Sequence, residues 1–400
     1  MITVEEARQR VLSLPLTYQK ETIALSEACG RFLNQAIISP IDLPLWSQSA
    51  MDGYALKHTD ILSTPVTLKM VDTIPAGHCP STVLKAGECA RIMTGAPLPS
   101  GADSVVIQEN TSRDGQQITI LSGAQKGRHI RWQGEELKKN SFLYPAGTQL
   151  SVGHLSVLAS LGIHEVSVWK KPKIAVFATG DELRHPPSEL QIGEIFGSNT
   201  LSLLSAIQKV GGTAIDCGIA RDNSDSTVAA IDRSLSLKPD IILSTGGVSV
   251  GDFDVVRDEI AKYGADIHFE KVRMKPGKPV SLSTLRGIPY FGLPGNPVSA
   301  MVTFYQLIWP LIRFRFGAEP YELPSITACA GQDIRKSHKR AEFYRVRLVN
   351  DPNGLPQIFL TGSQSSAWTT SLAKADALFY VPWESEGVKK GDIVRCQKLP

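Results

Sequence analysis

A glycine-rich turn followed by two aspartates has the residue types needed to hold a phosphate together with a divalent metal. Residues 240–254 read DIILSTGGVSVGDFD. The apolar stretch at 241–243 predicts a strand that is buried on both faces. Beyond it, backbone amides that no side chain screens could bind an oxyanion, typically a phosphate. The candidate substrate-binding residues of this turn are Thr245, Gly246, Gly247 and Ser249.

The two aspartates of this segment are Asp252 and Asp254, about one turn after the glycines. As hard oxygen ligands they could hold Mg²⁺ against a bound phosphate. Either could instead cap the helix that we predict from residue 255, because aspartate is a favoured N-cap residue. The residues alone leave both interpretations open, and the metal role has the weaker support at Asp252.

Two lysines follow in the segment RMKPGKP at 273–279. Its two prolines exclude the segment from a helix interior. Lys275 and Lys278 would therefore be presented by a rigid, extended piece of chain. They could be ordinary surface charges, but two cations fixed near a phosphate turn favour a role in anion binding.

A second glycine turn, LPGNP at 293–297, again follows an apolar run. Asn296 is a predicted helix N-cap, and Pro297 suits the first helical position. Open α/β sheets bind ligands beyond the carboxyl ends of their strands. The candidate binding residues here are Pro294, Gly295, Asn296 and Pro297.

Polar residues also follow two other predicted strands, at 174–177 and 214–219. They would lie on the same edge of a parallel sheet, where ligands bind, although each could merely cap the next segment. A neighbouring arginine, Arg221, is interpreted as a solvated charge. The candidates at these strand ends are Thr179, Gly180, Glu182 and Asp222.

Composition excludes several classes of function. The net charge is +3, from 42 basic and 39 acidic residues, so bulk electrostatics predict neither a nucleic-acid nor a membrane partner. The six cysteines are scattered, which argues against a zinc module and for a reducing compartment. The first residues lack the pattern of a secretory signal, and we expect a cytoplasmic protein.

The order of predicted elements indicates a multidomain α/β plus β protein. From residue 173 strands alternate with helices, which implies a central parallel sheet. Short runs split by proline and glycine predict a small inserted β domain. The predicted domains are residues 1–40 with 138–170 (helical), 41–137 (inserted β), 171–318 (α/β) and 319–400 (C-terminal β).

Three local expectations are specific enough to test. Apolar spacing near 3.6 predicts helices at 5–12 and 25–36. The apolar stretch 297–312 predicts one core helix bent at Pro310. In the segment 344–348, YRVRL, apolar and basic residues alternate, which predicts a half-exposed strand with its arginines outward.

Six segments in the same order resemble the molybdopterin molybdenumtransferase family, which includes bacterial MoeA and the E domain of gephyrin. Three are STGGVSVGDFD, MKPGKP and LPGNPVSA, described above. The others are SAMDGYA at 49–55, RIMTGAP at 91–97 and ATGDEL at 178–183. Each motif alone is weak, but together they extend over most of the chain.

The resemblance implies an activity and an assembly. Such an enzyme inserts molybdenum from molybdate into adenylylated molybdopterin and releases AMP, with Mg²⁺ as cofactor. It works as an elongated homodimer whose helical domain dimerises and whose inserted β domain faces the partner's sheet domain. The resemblance also names a molybdopterin adenylyltransferase and molybdoenzymes as handover partners.

The resemblance also assigns roles to residues. Asp52 and Thr94, which the residues alone would place in ordinary turns, become site residues. Molybdate would need cations such as Lys275, Lys278 or Arg345. The implied catalytic residues are Asp254, Asp52, Glu182 and Lys275, and the implied Mg²⁺ ligands are Asp254, Asp252 and Glu182.

Two other functions stay open at this point. A molybdopterin adenylyltransferase shares the Thr-Gly-Gly sheet but is usually a single small domain, and the extra domains argue against it. A non-catalytic scaffold like the gephyrin E domain would need an exposed groove in the last domain. Ala178, where relatives often carry serine, departs from the family pattern and removes one hydroxyl.

Overall fold

The computed structural model describes residues 1–247, 255–336, 338–352 and 354–400. The chain forms two compact units. The first comprises residues 1–35, 146–152 and 165–400, and the second comprises residues 36–145 and 153–164. The four-domain division expected from the sequence is finer than this and stays a prediction. Among the described residues, none of the helices combines the length and the apolar character that a membrane span requires.

The first unit is built on a six-stranded mixed sheet. Four neighbouring strands are parallel, and the last two are added antiparallel. In spatial order the strands are Thr213–Ala220, Lys173–Thr179, Ile241–Thr245, Ile288–Leu293, Ser281–Leu285 and Asp266–Phe269. The expected parallel sheet and the multidomain α/β plus β class are confirmed.

Alternation along the strands buries both faces of this sheet. Ile174 and Val176 pack into one apolar core, and Ala175 and Phe177 pack into the core on the opposite face. All four are fully buried, because successive side chains of a strand point to opposite sides. The helices of the parallel part are Ser198–Val210, Ser224–Ser236 and Val255–Lys262.

The apolar stretch after the sheet is not one bent helix. It consists of the helix Pro297–Thr303, a π-helical turn Phe304–Ile308 and the helix Trp309–Arg315. Proline has no N–H to donate to the preceding turn, and the π turn accommodates Pro310. The segment is almost wholly buried, as expected for a core element.

The C-terminal strands of the first unit close into a ring. In order around the ring they are Ala341–Val349, Gln357–Leu360, Ser325–Ala330, Ile393–Lys398 and Ala377–Val381, which pairs again with the first. We call this the C-terminal barrel. The two-residue strand Met274–Lys275 adds to it beside Ala341–Val349.

The expected helix at 25–36 is wrong. Lys20–Ala24 is a strand that pairs with Glu165–Trp169, and only the short 3₁₀ turn Leu25–Glu27 follows. The chain then reverses at Gly30, whose φ is 78°. The backbone of the segment that follows bonds to other parts of the chain, since Leu33 N–H donates to Thr148 O at 3.0 Å. The apolar spacing therefore reflects burial of an irregular segment. The helix at the N-terminus, Val4–Leu12, is confirmed together with its capping box.

The second unit contains another six-stranded sheet. In spatial order the strands are Ser104–Ile107, Gly53–Leu56, Glu88–Ile92, Val66–Ile74, Gln117–Ile120 and Thr111–Asp114. Each face of the sheet carries its own apolar core. All but the first residue of the helix Val152–Ser160 belongs to this unit.

Short elements complete the chain. Paired short strands are Ile37–Ile38 with Phe142–Tyr144, Gln48–Ser49 with Ile130–Arg131, Leu183–Arg184 with Ile195–Phe196, and Ile334–Arg335 with Gly387–Val388. The remaining helical turns are His58–Ile61, Gln108–Asn110 and Thr369–Ala373.

Candidate functional site

A cavity of about 590 Å³ lies at the carboxyl ends of the central parallel strands. The register places these ends at one edge, because Thr179 pairs with Ala220, and Thr245 pairs with Leu293. The cavity brings together most of the predicted binding residues of this unit. Those that line it are Thr179, Gly180, Glu182, Asp222, Thr245, Gly246, Gly247, Pro294, Gly295, Asn296 and Pro297.

The glycine turn in the cavity requires glycine at two successive positions. Gly246 and Gly247 have φ values of 94° and 62°, a region that other residues rarely adopt. A Cβ on Gly246 would lie 2.5 Å from Thr179 O, and one on Gly247 would lie 2.6 Å from Val256 Cγ2. The turn is therefore packed directly against the end of the neighbouring strand.

One expected anion donor in this turn is already used. The N–H of Gly246 donates to Leu293 O at 3.1 Å. The expectation that this amide is free to bind a phosphate is therefore wrong. The strand-to-strand bond simply continues into the turn. Among the described residues the N–H of Gly247 has no backbone acceptor, and it is the amide of this turn that remains for a ligand.

Two buried oxygen atoms at the cavity have no partner among the described residues: Thr179 Oγ1 and Asn199 Oδ1. The orientation of the Asn199 amide is fixed, because Nδ2 donates to the carbonyl oxygen of Gly295 at 2.7 Å. Since a buried polar atom without a partner is costly, these two atoms are suited to a bound ligand. The Thr179 hydroxyl can donate or accept, and Asn199 Oδ1 can only accept.

Asn199 is a site residue that the sequence reasoning missed. It is the second residue of the helix Ser198–Val210, which follows the short strand Ile195–Phe196. A signal was present, since a helix start after a strand end of a parallel sheet lies on the ligand-binding edge. The exposed apolar residues Ile195 and Phe196 line the same cavity and were also missed.

Asp222 belongs to a pair of turns that hold each other. The N–H of Asp181 lies 3.2 Å from Asp222 Oδ2, and the N–H of Asp222 lies 3.3 Å from Asp181 Oδ1. Arg221 Nη1 donates to Asp181 O at 3.0 Å, so Arg221 is not simply a solvated charge. Asp222 lines the cavity, and these bonds fix the turn that carries it.

Glu182 is an exposed carboxylate on the cavity wall. It folds back over Gly180, where a Cβ would lie 2.5 Å from Glu182 Oε2. The carboxylate oxygens of Glu182 accept no hydrogen bond from the described part of the chain, so they are suited to bind a hard cation such as Mg²⁺. Within that part no three His, Cys, Asp or Glu side chains form a metal-binding group. The predicted residues Ser249, Asp252 and Asp254 lie outside the described residues.

Asn296 occupies the predicted N-cap position, but its side chain makes no capping bond. Instead, Asn296 Nδ2 donates to Ser366 Oγ at 3.0 Å, and the N–H of Val298 donates to Ser366 O at 3.1 Å. The next residue, Ala367, lines the cavity. The Asn296 side chain thus bonds to a segment far along the chain and does not cap its own helix. Local sequence spacing could not reveal this partner.

The predicted lysines do not line the cavity. Lys275 Nζ lies 3.0 Å from Glu342 Oε1, and Lys278 is exposed. Of the segment 273–279 only Pro279, directly after Lys278, lines the cavity. The structure therefore does not place either lysine among the lining residues of the cavity.

Arg345 is not exposed, contrary to the expected alternation. It is 1% exposed, because Arg345 Nε donates to Ser371 Oγ at 3.3 Å and Nη2 donates to Ser365 O at 3.2 Å. Burial lowers the pKa of the Arg345 guanidinium to about 10. The packing of the segment 365–371 over the strand covers a side chain that the strand pattern alone would leave in water.

Asp52 and Thr94 are brought together in the second unit. Asp52 Oδ1 accepts from the Thr94 N–H at 2.7 Å and from Thr94 Oγ1 at 2.8 Å. These bonds, the backbone bond foremost, lower the pKa of the exposed Asp52 carboxyl. The Asp52 carboxylate and the Thr94 turn are thus held together by hydrogen bonds within the second unit.

Comparison with known families covers nearly the whole chain. Residues 2–162 match the MoeA N-terminal region (domain I and II), residues 175–313 match a probable molybdopterin binding domain, and residues 327–399 match the MoeA C-terminal region (domain IV).

Similar proteins are named accordingly. The chain is 36% identical over 388 residues to a molybdopterin molybdenumtransferase from a Nostoc species, covering 95% of this chain and 89% of that protein. It is 35% identical over 400 residues to the protein of that name from Haemophilus influenzae, covering 99% and 98%. A crystal structure of a molybdopterin biosynthesis MoeA protein from Pyrococcus horikoshii OT3 covers 100% of both chains, with a TM-score of 0.85 and 27% identity.

Proposed function

The chain belongs to the molybdopterin molybdenumtransferase family, and we propose that it inserts molybdenum from molybdate into adenylylated molybdopterin and releases AMP. The observation that carries this proposal is the convergence of separate motifs on one cavity. The segments ATGDEL, STGG and LPGNP begin at residues 178, 244 and 293, yet all three contribute to the lining of the same cavity of about 590 Å³.

The substrate's phosphates belong at the glycine turn. Cleavage of a phosphoanhydride requires donors and cations that neutralise charge on its oxygen atoms, and fixed donors do so without reorganisation. The N–H of Gly247 and the hydroxyl of Thr179 are the donors that the described residues leave available there. Asn199 Oδ1 accepts an N–H or O–H of the substrate and so orients it in the cavity.

Magnesium would be held by Asp254 and Asp252 together with Glu182. When bound, it neutralises phosphate oxygen charge beside the amide donors. Glu182 is the one member of this set within the described residues, and its free carboxylate oxygens support its role. Asp222, which also lines the cavity, holds the turn beside the phosphates through its bonds with Asp181.

Molybdate is a tetrahedral dianion and needs cations. We assign this role to Lys275 and Lys278, with the buried Arg345 as a third positive charge. No protein nucleophile is required, because the dithiolene sulfurs of the substrate bind the metal. These residues position the two substrates, which is the main contribution that a protein makes to such a transfer.

The active unit that we propose is a cytoplasmic homodimer. Asp52 and Thr94 of one subunit complete the site formed by the sheet cavity of its partner. The symmetry of such a dimer makes its two sites equivalent. Its substrate would arrive from a molybdopterin adenylyltransferase, and its product would pass to molybdoenzymes.

The function is tested in a host that lacks its own molybdenumtransferase. Expression of this chain should restore nitrate reductase activity at low molybdate, where the uncatalysed reaction is insufficient. The Thr179→Val variant should not, whereas Ser202→Ala, on an exposed position of the adjacent helix, should behave as wild type. Failure of the wild-type chain to restore activity while it consumes ATP with molybdopterin would favour an adenylyltransferase.

A further inference from the structure

Glu342 is a buried carboxylate of the C-terminal barrel with two candidate counter-cations. It is 3% exposed. Glu342 Oε1 lies 3.0 Å from Lys275 Nζ, and Oε2 lies 3.0 Å from His338 Nε2. The hydroxyl of Tyr344 donates to Oε2 at 2.8 Å. Because a buried carboxylate is stable only when it is paired and hydrogen-bonded, these partners explain why the fold can hold this charge.

The position of Lys275 is set by the backbone. The strand Met274–Lys275 pairs in parallel with the barrel strand Ala341–Val349, and Lys275 is directly opposite Glu342. Met274 is fully buried in the main core, so alternation directs Lys275 to the other side of the strand. The ion pair is therefore a consequence of strand register, and it fixes a lysine of the proposed molybdate site.

His338 lies between Glu342 and a second cavity. This cavity, of about 820 Å³, is on the C-terminal barrel, and its wall includes His338, Lys336, Trp383 and Glu384. The His338 side chain as a whole is 22% exposed, although its two ring nitrogens are themselves buried. The imidazole is close enough to Glu342 for an ion pair, but neither of its nitrogens makes a hydrogen bond with the described residues.

The charge on His338 depends on which groups surround Glu342. Burial lowers the pKa of His338, the Glu342 carboxylate raises it, and Lys275, Arg340 and Lys336 lower it further. With Lys275 in place, the charge of Glu342 is already neutralised, and the carboxylate stabilises the protonated imidazole of His338 only weakly. Removal of Lys275 would leave an unpaired carboxylate beside the imidazole.

We propose that Glu342 is a positioning residue for Lys275, and that His338 replaces Lys275 as its counter-cation when Lys275 turns to a bound tetrahedral oxyanion. This inference rests on the proposed function, in which Lys275 binds molybdate. One proton enters from solvent and binds the His338 imidazole, and no other bond is made or broken. Oxyanion binding is thus coupled to proton uptake.

The direction of the pH dependence follows from this exchange. Departure of Lys275 raises the pKa of His338, so the oxyanion-bound protein holds more protons than the free protein. By linkage the affinity for the oxyanion increases as the pH falls through the pKa of His338. The uptake per oxyanion lies between zero and one proton, because a single imidazole titrates.

A ligand-free NMR titration of the full chain tests the coupling directly. Histidine ring carbons are labelled, and the His338 signal is assigned from its loss in His338→Gln. Lys275→Met should raise the pKa of His338, and Glu342→Gln should lower it. The control is Lys278→Met, an exposed lysine of the same segment that forms no ion pair with the described residues. An unchanged pKa of His338 in Lys275→Met overturns the proposal.

Calorimetry with sodium molybdate tests the consequence. Titrations at pH 7 in PIPES and in Tris, whose ionisation enthalpies differ, should show proton uptake in the wild type and none in His338→Gln. Equal uptake in both proteins, or molybdate binding without uptake in the wild type, contradicts the proposal. The NMR comparison decides the matter where molybdate alone does not bind.

The experiments distinguish a failure of the proposed function from a failure of the coupling between Lys275 and His338. A wild-type chain that does not restore nitrate reductase activity removes the proposed function, whatever the His338 titration shows. A wild-type chain that restores activity, with a His338 pKa that ignores Lys275, removes only the coupling.

Discussion

The Nδ2 atom of Asn199 lies 2.8 Å from Thr245 Oγ1 and joins the first turn of a helix to the end of the central strand. The same nitrogen donates to Gly295 O at 2.7 Å. One side chain therefore links two separate turns of the cavity. The residue lines the cavity, and its buried side-chain oxygen has no partner among the described residues.

Asn199→Ala should weaken binding of adenylylated molybdopterin. Each lost hydrogen bond contributes about 0.5–1.5 kcal/mol, so we expect a loss of affinity on the order of tenfold. Fluorescence or calorimetric titration of the purified protein measures this. Ser202→Ala, on the same helix but outside the cavity lining, serves as control, and equal affinity in the two variants would remove Asn199 from the site.

Gly246→Ala should destabilise the protein more than another left-handed glycine does. Gly246 and Gly264 both have positive φ, but a Cβ at Gly264 meets nothing within 4 Å, whereas one at Gly246 collides with Thr179. Both variants lose about 1–2 kcal/mol for the backbone conformation, and only Gly246→Ala adds the collision. Urea unfolding compares them. Equal losses of unfolding free energy would show that the turn adapts without strain.

The Thr94 bonds to Asp52 predict a pH-dependent contribution to stability. Because the pKa of Asp52 is lowered in the folded protein, its contribution is present above the pKa of an unfolded aspartate and is lost as the pH falls through the folded value. The difference in unfolding free energy between wild type and Asp52→Asn should therefore shrink from pH 6 to pH 3. Urea unfolding at each pH measures it.

The control for Asp52→Asn is Asp114→Asn, an exposed aspartate of the same sheet. It removes a carboxylate of the same unit without touching the Thr94 bonds, so the comparison isolates their effect. The same curve for Asp52→Asn and wild type would mean that Thr94 does not stabilise the ionised form.

Much of the sheet domain was predictable from local pattern. Continuous apolar runs such as 241–243 and the glycines beyond them identified both the parallel strands and the edge where the cavity lies. The periodicity of apolar residues and the residue types that form turns are local properties of the sequence. They can therefore be recognised without knowledge of the fold. The same reasoning located Thr179, Asp222 and Gly295 on that edge.

The missed features depend on contacts between distant parts of the chain. The apolar spacing at 25–36 signalled burial but not helix, because its backbone partners lie near residues 148 and 169. Glu342, which pairs with Lys275, and Ser366, which pairs with Asn296, are each about 70 positions away. Such partners follow from strand register and domain packing, which local spacing does not encode.

Subunit mixing tests the proposed composite site. Asp52→Ala and Asp254→Ala proteins, each inactive alone, are refolded together and the heterodimer is isolated by two affinity tags. If the sites are shared between subunits, the heterodimer has one intact and one doubly altered site, and activity should return to roughly half that of wild type. No recovery in proven heterodimers would place Asp52 and Asp254 in the same subunit's site or remove one of them.

The central claim is that the cavity at the end of the parallel sheet transfers molybdenum to adenylylated molybdopterin. The most direct measurement incubates the purified chain with adenylylated molybdopterin, molybdate and Mg²⁺, and then determines AMP and pterin-bound molybdenum in the same sample. We expect equal amounts of the two products from the wild type, and neither from Asp254→Asn or Thr179→Val. Wild-type protein that forms neither product, or that releases AMP without binding molybdenum to the pterin, would contradict the account.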